Sequence, residues 1–243
     1  MAIDTSRTVR EFVLELPSSI NVFEQLGIDY CCGGQKPLAE ACTAAGKKLD
    51  TLTAMLERLQ SEQQTRTAPA NNWATEPLYD LIENIKSTHH VYVREQIPNL
   101  EALLDKVTAK HGENHPELAS VRDKFAALAD ELAMHLMKEE QILFPYIARS
   151  EESSLQHEPA PPSCFGSVEH PIRMMMSEHD SAGEALREMR RLTADYKVPD
   201  DACTSFRALY KLLQEFEADL HQHIHKENNI LFPRAMQVCR AAA

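Results

Sequence analysis

Two eleven-residue segments of this chain are near copies of one another: HLMKEEQILFP at 135–145 and HIHKENNILFP at 223–233. They agree at the histidine, the lysine, the glutamate and the closing I-L-F-P, with identical spacing. A repeat of this kind exposes architecture, because each copy is one structural unit used again. Each copy also follows a further histidine at nearly the same distance upstream, His90 before the first and His179 before the second. The chain therefore reads as a duplicated helical hairpin, in which each copy supplies one lone histidine and one His-x-x-x-Glu pair.

The residues around the repeats step by threes and fours, the period of an amphipathic helix. One pattern runs from Pro77 through Leu78, Leu81, Ile82 and Ile85 to Val93, Ile97, Leu100 and Leu104, with Pro98 expected to kink it. A second starts near Pro116 with Leu118, Val121, Phe125, Leu128 and Leu132 and continues at Ile142 and Tyr146. A third follows Pro171 with Ile172, Met175, Ala182, Leu186 and Met189. The fourth carries Phe206, Leu209, Leu213, Phe216 and Leu220 and continues at Ile230. The proline-rich stretch 158–163 separates the two pairs. The expectation is an all-α chain with a four-helix bundle over 75–243, built from hairpins 75–150 and 168–240. Composition agrees: with only 7 glycines in 243 residues, glycine-dependent sheet folds lose ground. No G-x-G-x-x-G, G-K-[ST] or G-x-S-x-G occurs.

Residues 1–60 predict a separate, small helical domain. Pro17 ends a first helix, Ser18 or Ser19 caps a second that Gly27 stops, Pro37 opens a third that Gly46 stops, and Asp50 caps a fourth. Between the second and third lies the turn Asp29-Tyr30-Cys31-Cys32-Gly33-Gly34. The polar, aperiodic stretch 61–74 reads as a linker.

A net charge of −12 disfavours nucleic acid and a polybasic membrane anchor. No apolar run approaches the ~18 residues of a membrane span, and the N-terminus lacks a basic segment followed by an apolar one. A cytoplasmic location is the default expectation. Six scattered cysteines are too few for a disulfide scaffold at this length.

The repeated residues fall on the apolar stripes. His135 lies three after Leu132 and Glu139 four later; His223 lies three after Leu220 and Glu227 four later; His179 lies four after Met175. Residues four apart share a helix face, so each His and Glu reaches the same point in the core. A carboxylate in a bundle core is costly unless it is paired or bound to a metal. No Lys or Arg lies on the stripe to neutralise it. Two glutamates bridging two metals, with two histidines on each, would explain the duplication. Imidazole and carboxylate without thiolate suit iron, manganese or zinc, and bridging carboxylates in a bundle favour a di-iron or di-manganese centre. Two alternatives are structural zinc and a buried His–Glu pair without metal. The ferritin-like pattern is Glu-x-x-His, with the opposite order and a different spacing.

These motifs together, the two copies of H-x-x-x-E-x-x-[IV]-L-F-P and the Asp-Tyr-Cys-Cys-Gly-Gly turn, resemble the hemerythrin-like di-iron proteins and within them the repair-of-iron-centres family. The resemblance covers nearly the whole chain. It implies the ligands His90, His135, Glu139, His179, His223 and Glu227, holding two iron ions bridged by Glu139 and Glu227 with an oxo or hydroxo bridge. Periodicity permits His89 or His90, and the family's spacing to Arg94–Pro98 selects His90. The implied role is repair of iron–sulfur clusters damaged by nitric oxide or peroxide, with damaged iron–sulfur proteins as partners. The symmetric two-plus-two pattern departs from an oxygen carrier, which has a fifth histidine and an Asp. Repair by iron donation stands beside two other readings: a redox enzyme reducing nitric oxide or peroxide, and a sensor or store of a diatomic gas. A homodimer is also expected.

Glu131, Glu178 and Glu140 are candidates to support the site or relay protons. His221 and His225, two positions either side of His223, are expected at the surface, and His111, His115, His157 and His170 carry no role. Met174-Met175-Met176 reads as core filling in preference to a soft-metal site, with Met175 on the stripe and the other two flanking it. Cys31 and Cys32 invite thiol redox chemistry, transient contact with iron or nitric oxide, or a purely structural turn.

Overall fold

The structure is a computed structural model and describes residues 3–63 and 72–241. The expected linker falls largely on 64–71, outside the described residues. Apart from one isolated bridge between Thr8 and Pro37, the regular structure described is helical throughout.

Four short helices form the amino-terminal unit: α1 (Val9–Glu15), α2 (Ser19–Leu26), α3 (Leu38–Ala44) and α4 (Leu49–Gln63). A reciprocal cap starts α1, an arrangement the sequence reading passed over. The Glu11 amide donates to the Thr8 hydroxyl at 3.2 Å, and the Thr8 amide donates to the Glu11 carboxylate at 2.7 Å. Gly27 ends α2 in the left-handed region at φ 65°, as its position predicts. Two expected caps differ. Ser18 makes no side-chain cap, and Asp50 lies inside the first turn of α4, where its negative charge favours the helix N-terminus. Val9, Phe12, Phe23, Tyr30, Leu38, Leu52 and Leu56 make this unit's own core.

The bundle consists of four rods. The first is α5 (Leu78–Ile85), a π-helical turn Lys86–His90 and α6 (Val91–His111), which runs through Pro98. The second is α7 (Glu117–Lys138), a π turn Glu139–Leu143 and α8 (Phe144–Gln156). The third is the unbroken α9 (Glu169–Leu192). The fourth is α10 (Thr204–His225), a π turn Lys226–Leu231 and α11 (Phe232–Ala241). The rods pack in a ring: α6 against α7 and α10, and α9 against α7 and α10.

Two apolar clusters fill the bundle. One, around Leu128, Leu132, Phe206, Leu213 and Phe216, occupies the end that holds α6 and α10; the other, around Leu81, Ile85, Phe144, Ile172 and Leu231, occupies the opposite end. The polar site lies at the join. Among the described residues no helix is long and apolar enough to cross a membrane.

The π turns correct one expectation. Ile142, placed on the inward stripe, is 47% exposed, while Leu143 is buried. A wider π turn inserts one residue into the helical repeat, so the inward position after Glu139 moves from the third residue to the fourth.

Candidate metal centre

The π turns recur where the site is built: His90 closes the first, Glu139 opens the second and Glu227 is the second residue of the third. Such turns free helix backbone and re-aim side chains, and they concentrate at functional sites. His135 and His223 stand in the last turns of α7 and α10, and His179 mid-way along α9. All six side chains are buried, Glu139 and Glu227 completely.

They form two sets of four donors. One comprises His90, His223, Glu139 and Glu227; the other comprises His135, His179, Glu139 and Glu227. Both carboxylates belong to both sets. Each set takes one histidine from each repeat, so the duplicated units interlock instead of building one position apiece.

The distances are those of ligands facing a common point. The Nε2 atoms of His90 and His223 are 3.1 Å apart, and those of His135 and His179 3.0 Å apart. Two donors each ~2.1 Å from an ion and at right angles to one another lie about 3.0 Å apart. The carboxylate oxygens stand close to the imidazoles: Glu227 lies 3.0 Å from His223 and 3.1 Å from His179, and Glu139 lies 3.4 Å from His135 and 3.5 Å from His90. Yet neither Glu139 oxygen, nor Oε2 of Glu227, has a hydrogen-bond partner. A buried carboxylate without partners is too costly to leave so, unless a cation occupies the point its lone pairs face. The residues fit a metal pair.

The outer ring nitrogens are anchored. His135 Nδ1 bonds the Glu178 carboxylate at 2.8 Å, His90 Nδ1 bonds Glu140 at 2.7 Å, and His179 Nδ1 bonds the Asn228 carbonyl oxygen at 2.8 Å. With Nδ1 donating, Nε2 presents its lone pair inward. Lys138 pairs with Glu178, and Arg94 with Glu140 at 2.8 Å. Only His223 Nδ1 is left without a partner; its ring stacks on His89 at 5.6 Å. His89 itself turns away from the carboxylates, to Asp219 at 2.9 Å and Lys226 at 2.8 Å, whereas His90 faces them.

Glu140 and Asn228 occupy the same position in the two repeats, directly after Glu139 and Glu227, and each holds the lone histidine of its own hairpin. Asn228 was missed by the sequence reading, although the repeat alignment carries the signal. Glu131 does not touch the donors. It bonds the Ser181 hydroxyl at 3.2 Å and lines a small cavity with Leu128, Leu132, Ala182 and the rings of His135, His179 and His223.

Electrostatics in the metal-free state follow from this crowding. Burial alone would lower the pKa of His135, but Glu139, with Glu227 and Glu178, raises it to about 9. Burial works against ionised Glu227, yet His223 and His179 hold it well below the usual carboxylate range. Burial lowers His223, despite Glu227. A proton on His135 thus offsets part of the carboxylate charge until a metal displaces it.

The amino-terminal unit docks on this region. Asn229, buried in the third π turn, donates to the carbonyls of Tyr30 at 3.1 Å and Cys31 at 3.3 Å, and its own carbonyl accepts from Arg10 at 2.9 Å. His221 meets Glu24 at 2.9 Å, and the Tyr30 hydroxyl donates to that same carboxylate. The expected surface position of His221 and His225 is therefore corrected. His225 is buried against Tyr30 and Asn229, and His221 is partly covered, because a second unit packs on the face that a lone bundle would present to water.

A bundle of four rods with two interlocked His–Glu donor sets in its core defines a hemerythrin-like metal protein. Residues 80–235 match the family described as the hemerythrin HHE cation binding domain, and residues 5–60 match ScdA_N, a domain of unknown function. The iron-sulfur cluster repair protein YtfE of Yersinia pseudotuberculosis serotype IB (strain PB1/+) is 35% identical over 232 residues, covering 96% of this chain and 97% of that protein. YtfE of Yersinia pestis (strain Pestoides F) matches to the same extent. The chain belongs to the repair-of-iron-centres family of hemerythrin-like proteins.

Proposed function

We propose that this chain repairs iron–sulfur clusters damaged by nitrosative or oxidative stress, donating iron held by His90, His135, Glu139, His179, His223 and Glu227. The observation that carries the reading is the pair of donor sets sharing two fully buried carboxylates, three of whose four oxygens lack a hydrogen-bond partner. A bound iron pair would supply a store of ferrous iron and of electrons within one buried site. The chain's own residues set how firmly that store is kept. Imidazole and carboxylate donors hold ferrous iron less tenaciously than thiolates do, which suits release to a thiolate-rich cluster. Glu178, Glu140 and Asn228 fix three imidazoles in the metal-facing tautomer, and Glu139 and Glu227 span both positions. The relatives' names point the same way, since those proteins are named for iron-sulfur cluster repair.

The six cysteines, all free thiols, fit a reducing compartment, and we place the chain in the cytoplasm on that ground. Damaged iron–sulfur proteins are its partners, and it acts as a homodimer, which sedimentation checks.

Metal content per chain, measured by plasma mass spectrometry on protein purified without added metal, tests the centre. About two irons per chain are expected from two shared-carboxylate positions; zinc, or a folded chain without metal, overturns it. Repair is tested by incubating the iron-loaded chain with a nitric-oxide-damaged dehydratase. The dehydratase recovers while this chain loses iron.

One observation favours a second reading, reduction of nitric oxide or peroxide. The cavity beside His135, His179 and His223 is walled by Leu128, Leu132, Ala182, Leu220 and Ile224 and has room for about one water-sized molecule. That suits a diatomic ligand. Anaerobic ferrous protein given nitric oxide then yields nitrous oxide over several turnovers, which a pure donor does not.

A further inference from the structure

The turn that docks against the bundle carries a third group of donors. Asp29, Cys31 and Cys32 place one ligand atom each within 4.8 Å of one another, apart from the two sets in the core. The two sulfurs are 3.8 Å apart, and Cys31 Sγ is 3.3 Å from Asp29 Oδ1. Two thiolates bound ~2.3 Å from one tetrahedral ion lie about 3.8 Å apart, and a thiolate and a carboxylate oxygen about 3.6 Å apart. The spacing needs almost no adjustment to seat an ion.

The turn is built to hold that shape. Asp29 Oδ1 accepts the amides of Cys31 at 3.1 Å and Cys32 at 2.9 Å, which folds the carboxylate back over both cysteines. A side chain at Gly34 would put its Cβ 2.8 Å from the Tyr30 carbonyl and 3.1 Å from Asn229, so only glycine lets the turn lie this close to the bundle. On the facing helix, a Cβ at Gly183 would lie 3.5 Å from Cys32 Sγ. That is van der Waals contact, so the thiol packs directly on the backbone of the helix that carries His179. Cys32 Sγ lies 3.6 Å from the backbone carbonyl of His179, a core donor residue. Arg187, 3.7 Å from Asp29 Oδ2, offsets the negative charge left after a divalent cation binds two thiolates and a carboxylate.

We propose that Asp29, Cys31 and Cys32 form a third metal site that takes one thiophilic divalent cation and passes it between the core and the outside. Its three donors leave a fourth position open, the arrangement of sites that exchange a ligand. Asp29 is exposed and Cys32 half-buried, so the site can be reached from solvent, while its backbone contact with His179 ties it to the core. Binding is exchange without redox change: each thiol releases its proton to water as the metal–sulfur bond forms. That the natural cation is ferrous iron rests on the repair reading; the site itself rests on the donor geometry.

The test titrates the metal-free, reduced full chain with cobalt(II) under anaerobic conditions. Three equivalents are expected, the third bringing the intense near-ultraviolet band of thiolate-to-cobalt charge transfer, which nitrogen and oxygen donors do not give. Cys31 is buried in the protein's core, so Cys32→Ser is the variant, with Asp29→Asn as a second that keeps both thiols. Cys32→Ser should bind two equivalents without the band, and Asp29→Asn should weaken the third equivalent by tenfold or more. In the iron-loaded protein, a solution chelator should remove iron several-fold more slowly from Cys32→Ser than from the natural chain. Absence of the band in the natural chain, or its persistence in Cys32→Ser, overturns the site; equal rates of iron removal overturn the transfer. Failure of the repair reading is seen separately, as a damaged dehydratase that does not recover with a chain that still gives the third equivalent and its band.

Discussion

Glu178 shows what one residue contributes to the centre. Its carboxylate anchors His135 and is itself held by Lys138, so its removal frees the imidazole to rotate. Glu178→Gln should keep the fold and weaken metal retention by about 10–100-fold, measured by competition with a chelator of known affinity. A different cluster stands at the far end of the bundle, among histidines to which the sequence reading gave no role. Cys203 is the residue just before α10, where the backbone amide of Phe206 and then His111, 3.2 Å from its sulfur, lower its pKa to about 7. Its alkylation rate should therefore rise through a midpoint near pH 7, and His111→Ala should shift that midpoint upward. Mass-spectrometric alkylation kinetics across pH check both. His111 and His115 looked idle because Cys203 and Asp201, which they meet across the fold, lie far away in the chain, although His115 also pairs with the nearby Glu117 at 3.0 Å.

At the scale of elements, the π turns and the docked unit carry the design. Each π turn holds a donor at or near its boundary, and only α9, which supplies His179 alone, lacks one. Asn229 links the third π turn to the Tyr30–Cys31 backbone and to His225. Asn229→Ala leaves these buried groups unpaired, which costs about 1–3 kcal/mol. Thermal or denaturant unfolding should show this as lowered stability, with faster amide exchange confined to the turn at 29–34 if the unit loosens before the bundle opens. The register of α8 could not be read from helical periodicity. Ile142 fitted the α period as well as Leu143, and only the widened turn decides between them.

In the whole molecule, stability and metal state are one question. In the metal-free chain His135 has its pKa raised to about 9, so its pairing with Glu139 contributes fully below the ordinary histidine value and is lost as pH rises through about 9. Glu227 is lowered, so its contribution is present above the ordinary glutamate value and fades as pH falls. The metal-free chain should thus lose thermal stability between pH 7 and 9. The loaded chain, whose histidines bind neutral, should hold its Tm across that range and exceed the metal-free Tm throughout. Scanning calorimetry on both forms checks this. Glu227→Leu separates the contributions further. It should abolish metal binding, lower the Tm of protein given metal, and lower that of the metal-free chain by less, because His179 and His223 lose the buried carboxylate that faces them.

Helical period, repeat and residue type were local properties of the chain, and they determined the all-α bundle, the duplicated hairpins and the residues facing its core. An i, i+4 pair shares a face whatever surrounds it, so His135 with Glu139 and His223 with Glu227 were legible before any packing was known. Tertiary structure decided which histidines meet. His90 joins His223 and His135 joins His179 because the hairpins pack in a ring, and no spacing along the chain encodes that crossing. It also decided that Asn228 and Glu140 steady the rings, that His225 is buried, and that Cys32 reaches the backbone of His179. These contacts join segments separated by tens to hundreds of residues, and their free energy exists only once both partners have left water for the same interior.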